Sequence, residues 1–146
     1  MAYVTQAQLE DRFGAGSLKD WTDDAAAGAI DTDVVASVIA ETDGLINEAA
    51  SQHYTTPLTL GNTGVAAAVR LHAGSIAGYL LASRRPDDVP ENLRTMYEDA
   101  RRWLDLLRAG QVYLAGEVAV SADKPAGGIV VRGGTRIVSR DSMDGL

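Results

Sequence analysis

The sequence predicts a mainly α-helical fold, a small bundle of about four helices followed by an extended C-terminal arm carrying short β-strands. Three observations predict it. Apolar residues recur at helical spacing in long segments before residue 110, capping residues stand ahead of those segments, and between residues 116 and 134 the texture changes to five glycines with short apolar runs. A chain of 146 residues with 46% apolar and 23% charged residues suits one core, not two. We therefore divide it into a helical domain, 1–110, and an arm, 111–146.

The first helix is expected over residues 6 to 13. Thr5-Gln6-Ala7-Gln8 has the form of a capping box, Leu9 and Phe13 share one face, and Gly14 ends the segment. Ser17 can cap a brief turn through Leu18 and Trp21 before the loop of Thr22-Asp23-Asp24 and Gly28. From Asp31 or Thr32, Val35, Val38, Ile39, Leu45, Ile46, Ala49 and Ala50 define a helix face, which must stop ahead of Thr55-Thr56-Pro57. Thr63 can cap a third long helix, to about Ser83, that is apolar almost all round. Such a helix is buried, and Ala73, Gly74, Ala77 and Gly78 would let neighbours approach its backbone closely. Asp88 and Pro90 open the last helix, where Leu93, Met96, Tyr97, Ala100, Trp103, Leu104 and Leu107 make a heptad-like stripe that ends at Gly110.

Beyond it, Gln111-Val112-Tyr113-Leu114 can extend or leave the helix. Gly116 to Ser121 reads as a short alternating strand, and Ile129-Val130-Val131-Arg132 as a second. This glycine-rich stretch cannot form a core by itself. Its expected role is either a floppy tail or an arm that pairs with a partner's edge or groove.

Charge is unevenly distributed. Residues 1–62 carry ten acids against Arg12 and Lys19, whereas 63–110 carry six acids and seven arginines; the whole chain has a formal charge of −7. Such a surface repels phosphate, which argues against tight nucleic-acid binding. It also suits a contact between one copy's acidic half and the arginines of the next. The residues expected there are Arg84, Arg85, Arg101 and Arg102 with Asp23 and Asp24.

The search for catalytic chemistry returns little. There is no cysteine, and His53 and His72 each stand alone without a carboxylate at ligand spacing. Asp23 and Asp31 occupy positions one and nine of a calcium-loop frame, but Ala25, Ala27 and Val34 replace the oxygens needed at three, five and twelve. Trp21 and Trp103 fall on apolar stripes and are assigned to the core. We expect no catalytic residues, no metal and no cofactor. The N-terminus has no export-signal pattern, and no run of eighteen apolar residues points to a membrane.

Several segments in order resemble one family. They are Tyr3-Val4-Thr5 through Arg12-Phe13-Gly14, the Leu18-to-Asp23 stretch, Ile30-Asp31 leading into Val34-Val35, Leu45-Ile46-Asn47, Tyr54 to Leu58, and Arg136 to Gly145. Together they resemble the small neck proteins of Mu-like tailed phages, the head-completion or head-tail connector proteins. The resemblance implies a dodecameric ring of copies on the phage portal protein, with a stopper or tail-terminator protein below, and genome DNA passing through the lumen without specific binding. It implies a virion location after synthesis in the host cytoplasm, and no enzymatic activity. At the Asp23 loop this chain has fewer acids and glycines than the family pattern. Arm residues Arg136, Ile137, Val138, Arg140 and Met143 are the expected contacts to portal or neighbour. The alternative reading is a small monomeric regulatory module that binds one phage or host protein.

Overall fold

The computed structural model describes residues 2–85 and 89–120. Among them run five helices: α1 (Gln6–Phe13), α2 (Ala15–Thr22), α3 (Thr32–Ala50), α4 (Thr63–Ala82) and α5 (Glu91–Arg108). One more helix forms than the sequence suggests, because the turn expected after Ser17 is a full helix that starts directly at Gly14. That glycine has φ +85°, a conformation costly for any side chain, and it lets α2 begin one residue after α1 ends.

The helix starts follow the sequence in kind, with two shifts. Thr5 Oγ1 accepts from the Gln8 N–H at 3.3 Å while Gln8 Oε1 accepts from the Thr5 N–H at 3.0 Å, completing the capping box. Asp31 caps α3 by accepting from the Asp33 and Val34 N–H groups. The cap of α4 is Asn62, not Thr63: its Oδ1 reaches the second and third N–H groups of the helix, at Gly64 and Val65. Pro90 is the residue before α5, one position earlier than expected; no described side chain caps that helix, and Asp88 lies outside the described residues. Its other end closes on Gly110, at φ +69°, with the Gln111 N–H donating to Leu106 O at 2.9 Å and the Gly110 N–H to Leu107 O at 3.1 Å. This double bond pattern satisfies carbonyls that the helix itself leaves open.

α4 is the central element and touches all four other helices. By length and composition it would also suit a membrane crossing, but ten of its residues are buried within the bundle. Val69, Ala73, Ile76, Ala77 and Leu81 are fully covered, by α3 through Val35, Ile46 and Ala49 and by α5 through Leu93, Ala100, Leu104 and Leu107. α4 and α5 form an antiparallel hairpin whose rim carries two ring stacks, His72 on Trp103 at 4.5 Å and Tyr79 on Tyr97 at 4.1 Å. On another side, α1 lies over Gly74 and Gly78. A methyl group at Gly78 would stand 2.5 Å from the Phe13 ring, and one at Gly74 would stand 2.7 Å from the Arg12 guanidinium. The small residues thus admit α1's side chains rather than a second backbone.

Tyr3 ties the N-terminal segment down. Its hydroxyl bonds Asn47 on α3 and accepts from the Leu58 N–H at 2.9 Å, and its own N–H donates to Asp43 at 2.9 Å. Burial raises the pKa of the phenol, and the same burial raises that of the Asp43 carboxyl, partly offset by the Tyr3 N–H bond.

Candidate functional site

The cationic groups and the root of the arm are where the sequence placed function. Arg84 and Arg85, at the C-terminal end of α4, reach across to the C-terminal end of α2. Arg84 pairs with Asp24 and also donates to Trp21 O at 3.0 Å, while Arg85 donates to Asp23 O at 3.1 Å and lies 3.9 Å from the Asp24 carboxylate. Two positive groups at a helix C-terminus satisfy its open carbonyls and its dipole. These four residues, expected at a contact between subunits, are therefore engaged with one another inside one chain.

Asp23 closes its own loop. Its two carboxylate oxygens accept from the Ala27 and Gly28 N–H groups, each at 2.7 Å, across a turn with Ala26 and Gly28 at positive φ. The neighbouring acid of the calcium-like frame, Asp31, is occupied as the α3 cap, and its N–H donates to the buried Thr22 hydroxyl at 3.1 Å. Both carboxylates that could have faced a cation are thus directed at backbone N–H groups. Among the described residues no cluster of three or more His, Cys, Asp or Glu side chains is placed to hold a metal.

On α5, Arg102 pairs along its own helix with Asp99 at 3.3 Å, while Arg101 enters no ion pair among the described residues. Arg108 joins α5 to α3 through Glu48 at 2.6 Å and also holds Asp105 at 2.9 Å. These hydrogen bonds keep the Arg108 pKa raised. Among the described residues neither histidine forms a nucleophile-base pair: His53 Nε2 bonds Arg108 O at 2.9 Å, next to the ring's contact with Gly110, and His72 stacks on Trp103.

The first ten residues of the expected arm lie against the body. Leu114 is buried, and its N–H donates to the Tyr54 hydroxyl at 3.0 Å, which in turn donates to Val112 O at 3.1 Å. Glu117 holds the second half of the α3–α4 connection, accepting from the Thr59 N–H at 2.7 Å and the Leu60 N–H at 2.6 Å. Beyond it, the Thr55 N–H donates to Val118 O and the Val120 N–H to His53 O, forming one antiparallel bridge between Tyr54 and Ala119. Where a strand was expected, the described residues hold a single bridge; on its Glu117 side the partner segment runs into Pro57, which has no N–H to donate, and the second expected strand, 129–132, lies outside the described residues. Tyr113, Val118 and Val120 remain exposed, Tyr113 to 83%. The arm contacts Arg136, Ile137, Val138, Arg140 and Met143 lie outside the described residues.

Sequence reasoning missed three residues that organise this region: Tyr3, Glu117 and Arg12. Each acts through partners forty or more residues away, and no local spacing reports such a contact.

No curated protein matches the chain. The family model described as Bacteriophage Mu, Gp36 matches residues 3–132, which takes in every helix and the docked root of the arm. The chain belongs to the bacteriophage Mu Gp36 family.

Proposed function

We propose that this protein is a neck component of a Mu-like phage: a head-completion adaptor that forms a dodecameric ring under the portal and offers the attachment site for a tail stopper or terminator. The observation that carries the reading is the family match over residues 3–132. A helical body with its own core and an exposed apolar rim at Tyr113, Val118 and Val120, where the chain continues into the C-terminal segment, supports a protein that works by binding and not by catalysis. The surplus of acid supports passage of DNA through a lumen without adhesion, since an acidic wall releases no counterions to phosphate. In this reading Arg136, Ile137, Val138, Arg140 and Met143 contact portal or neighbour.

The test is the mass of the full chain by light scattering, alone and mixed with the portal protein. The reading expects assembly into a ring on portal. A chain that stays monomeric at every concentration and ignores portal sinks it. Deleting residues 135–146 should leave helical content and melting in place while removing assembly, whereas loss of folding would make that segment part of the core.

A further inference from the structure

Between α1 and α4 runs an open groove of about 290 Å³, lined by Gln8 and Arg12 on one side and by Ala67, Arg70, Leu71 and Gly74 on the other. Its floor is unusual. The Arg12 guanidinium lies over Gly74, where only the absence of a side chain leaves room for it, and it donates to Leu71 O at 2.8 Å and to the Ser75 hydroxyl at 3.1 Å. Those are neutral acceptors, and they use two of the five N–H donors that the group carries. Arg12 meets no carboxylate among the described residues, nor does Arg70, one helical turn before Gly74 on the same face. Burial accordingly lowers the pKa of Arg12, the mark of a charge that has lost water without gaining a counter-ion.

The other arginine contacts show what is missing. Arg84, Arg102 and Arg108 each find a carboxylate in the same chain, and Arg94 and Arg101, which enter no ion pair among the described residues, line a cavity that also holds Glu98. The groove has two cations and no acid in its lining, in a protein with 20 acids against 13 bases. Gln8 Oε1 is taken by the Thr5 N–H, which leaves the amide NH2 as a further donor. Leu71, 54% exposed, adds an apolar lip beside these donors. Such a set matches a carboxylate carried on a protein surface: charge-assisted donors for the oxygens and an apolar wall for the stem.

We infer that this groove receives an acidic side chain from a second copy of the same chain. Charge complementarity selects that occupant. Asp20, Asp33 and Glu41 are exposed, and their carboxylates enter no ion pair or hydrogen bond among the described residues. They lie on α2 and α3, outside the groove, so the contact joins two different faces. With the acids of α2 and α3 as the occupants, the contact is heterologous, propagates from copy to copy and closes into a ring if the rotation allows. The inference deepens the proposed neck reading by naming a contact between copies at Arg12 and Arg70, where neither arginine meets a carboxylate of its own chain among the described residues.

The absence of cysteine allows a direct test on the full chain. Isotope-labelled wild-type protein is mixed with unlabelled protein carrying a nitroxide on Ala68→Cys, an exposed position beside the groove. Intermolecular broadening is expected at the amides around Asp20, Asp33 and Glu41. It should be lost in about 1 M salt, where the screening length falls to ~3 Å, and weakened at least several-fold by Arg70→Gln, an exposed substitution that leaves the fold intact. Arg12→Gln should act in the same direction.

No broadening at millimolar protein, broadening indifferent to salt and to Arg70→Gln, or broadening confined to uncharged surfaces would each overturn the inference. So would displacement of groove signals by a short DNA duplex in preference to a second copy, which would make the site a phosphate site. The two readings fail separately. Arg12→Gln, Arg70→Gln protein that still forms rings on portal removes the groove contact and leaves the neck assignment, whereas a groove contact in protein that ignores portal does the reverse.

Discussion

Two sides of α4 are packed by opposite means. Toward α1 the helix withdraws its side chains, and Gly74 and Gly78 leave hollows that Arg12 and Phe13 fill. Toward α5 it presents bulk, with Ile76 and Leu81 in the core and the His72–Trp103 and Tyr79–Tyr97 stacks along the rim. The first solution depends on empty volume that no substitution can share. The second depends on apolar area and ring stacking, which tolerate small changes of shape but not of polarity. Steric and chemical substitutions should therefore sort the two sides.

The largest effect is expected on the α5 side. Leu104 is buried at 4% exposure on the apolar stripe of α5, and Leu104→Asp places a charge there whose nearest cations, Arg101 and Arg108, lie at the edge of the adjoining cavity. A cost of several kcal/mol follows, about the whole stability of a small domain, so the variant should lose its cooperative thermal transition. A soluble, fully helical Leu104→Asp protein would show that this stripe is an interface and not a core.

Next comes the steric side. Gly78→Val drives two methyl groups into the Phe13 ring and should cost about 1–3 kcal/mol, read as a lowered midpoint in urea with α1 amides losing exchange protection first. The matched control is Gly44→Ala in α3, where an added methyl meets nothing within 4 Å. Helix propensity alone should then stabilise by about 1 kcal/mol. If both glycine substitutions shift the midpoint the same way, the hollow under Phe13 is not what fixes α1.

How much of this was legible in the sequence follows the same division. The α5 side could be read, because a stripe from Leu93 to Leu107 announces a face by spacing alone, and α4's lack of a polar face announces burial. The α1 side could be read only halfway. Gly74 and Gly78 mark a close approach, but nothing local says that the visitor is a charged side chain from residue 12. The composition of the Asp23 loop announces a turn, but not that Asp23 and Asp24 face Arg84 and Arg85 of the same chain. In the folded chain the end of α2 lies beside the end of α4, some sixty residues away, and Arg84 and Arg85 donate there to the open carbonyls of Trp21 and Asp23, a contact no local spacing reports. The arm's root was assigned to another molecule for a related reason. Glu117 and Leu114 find their partners at Thr59, Leu60 and Tyr54 only once α3 and α4 have been packed.

The smallest effect is a pH dependence at the rim of the α5 side. His72 is half-buried against Trp103, and its pKa is held below the ordinary histidine value of 6.5, chiefly by burial and then by the positive charge of Arg12, with Asp99 opposing. The sign follows from linkage. Because the unfolded chain binds the proton more tightly, stability is fully present above pH ~6.5 and falls as the pH drops toward the lowered folded value. Asp43 works the other way in a lower range: its raised carboxyl pKa favours the protonated folded form, so stability from this group increases as the pH falls through that raised value toward about 3.9. Melting temperatures compared at pH 7.5 and 5.5 should therefore drop in the wild type and drop less in His72→Phe, which keeps the stack on Trp103 and removes the proton site. An equal drop in both would place the acid sensitivity elsewhere, and would leave the α5 side governed by apolar contact alone.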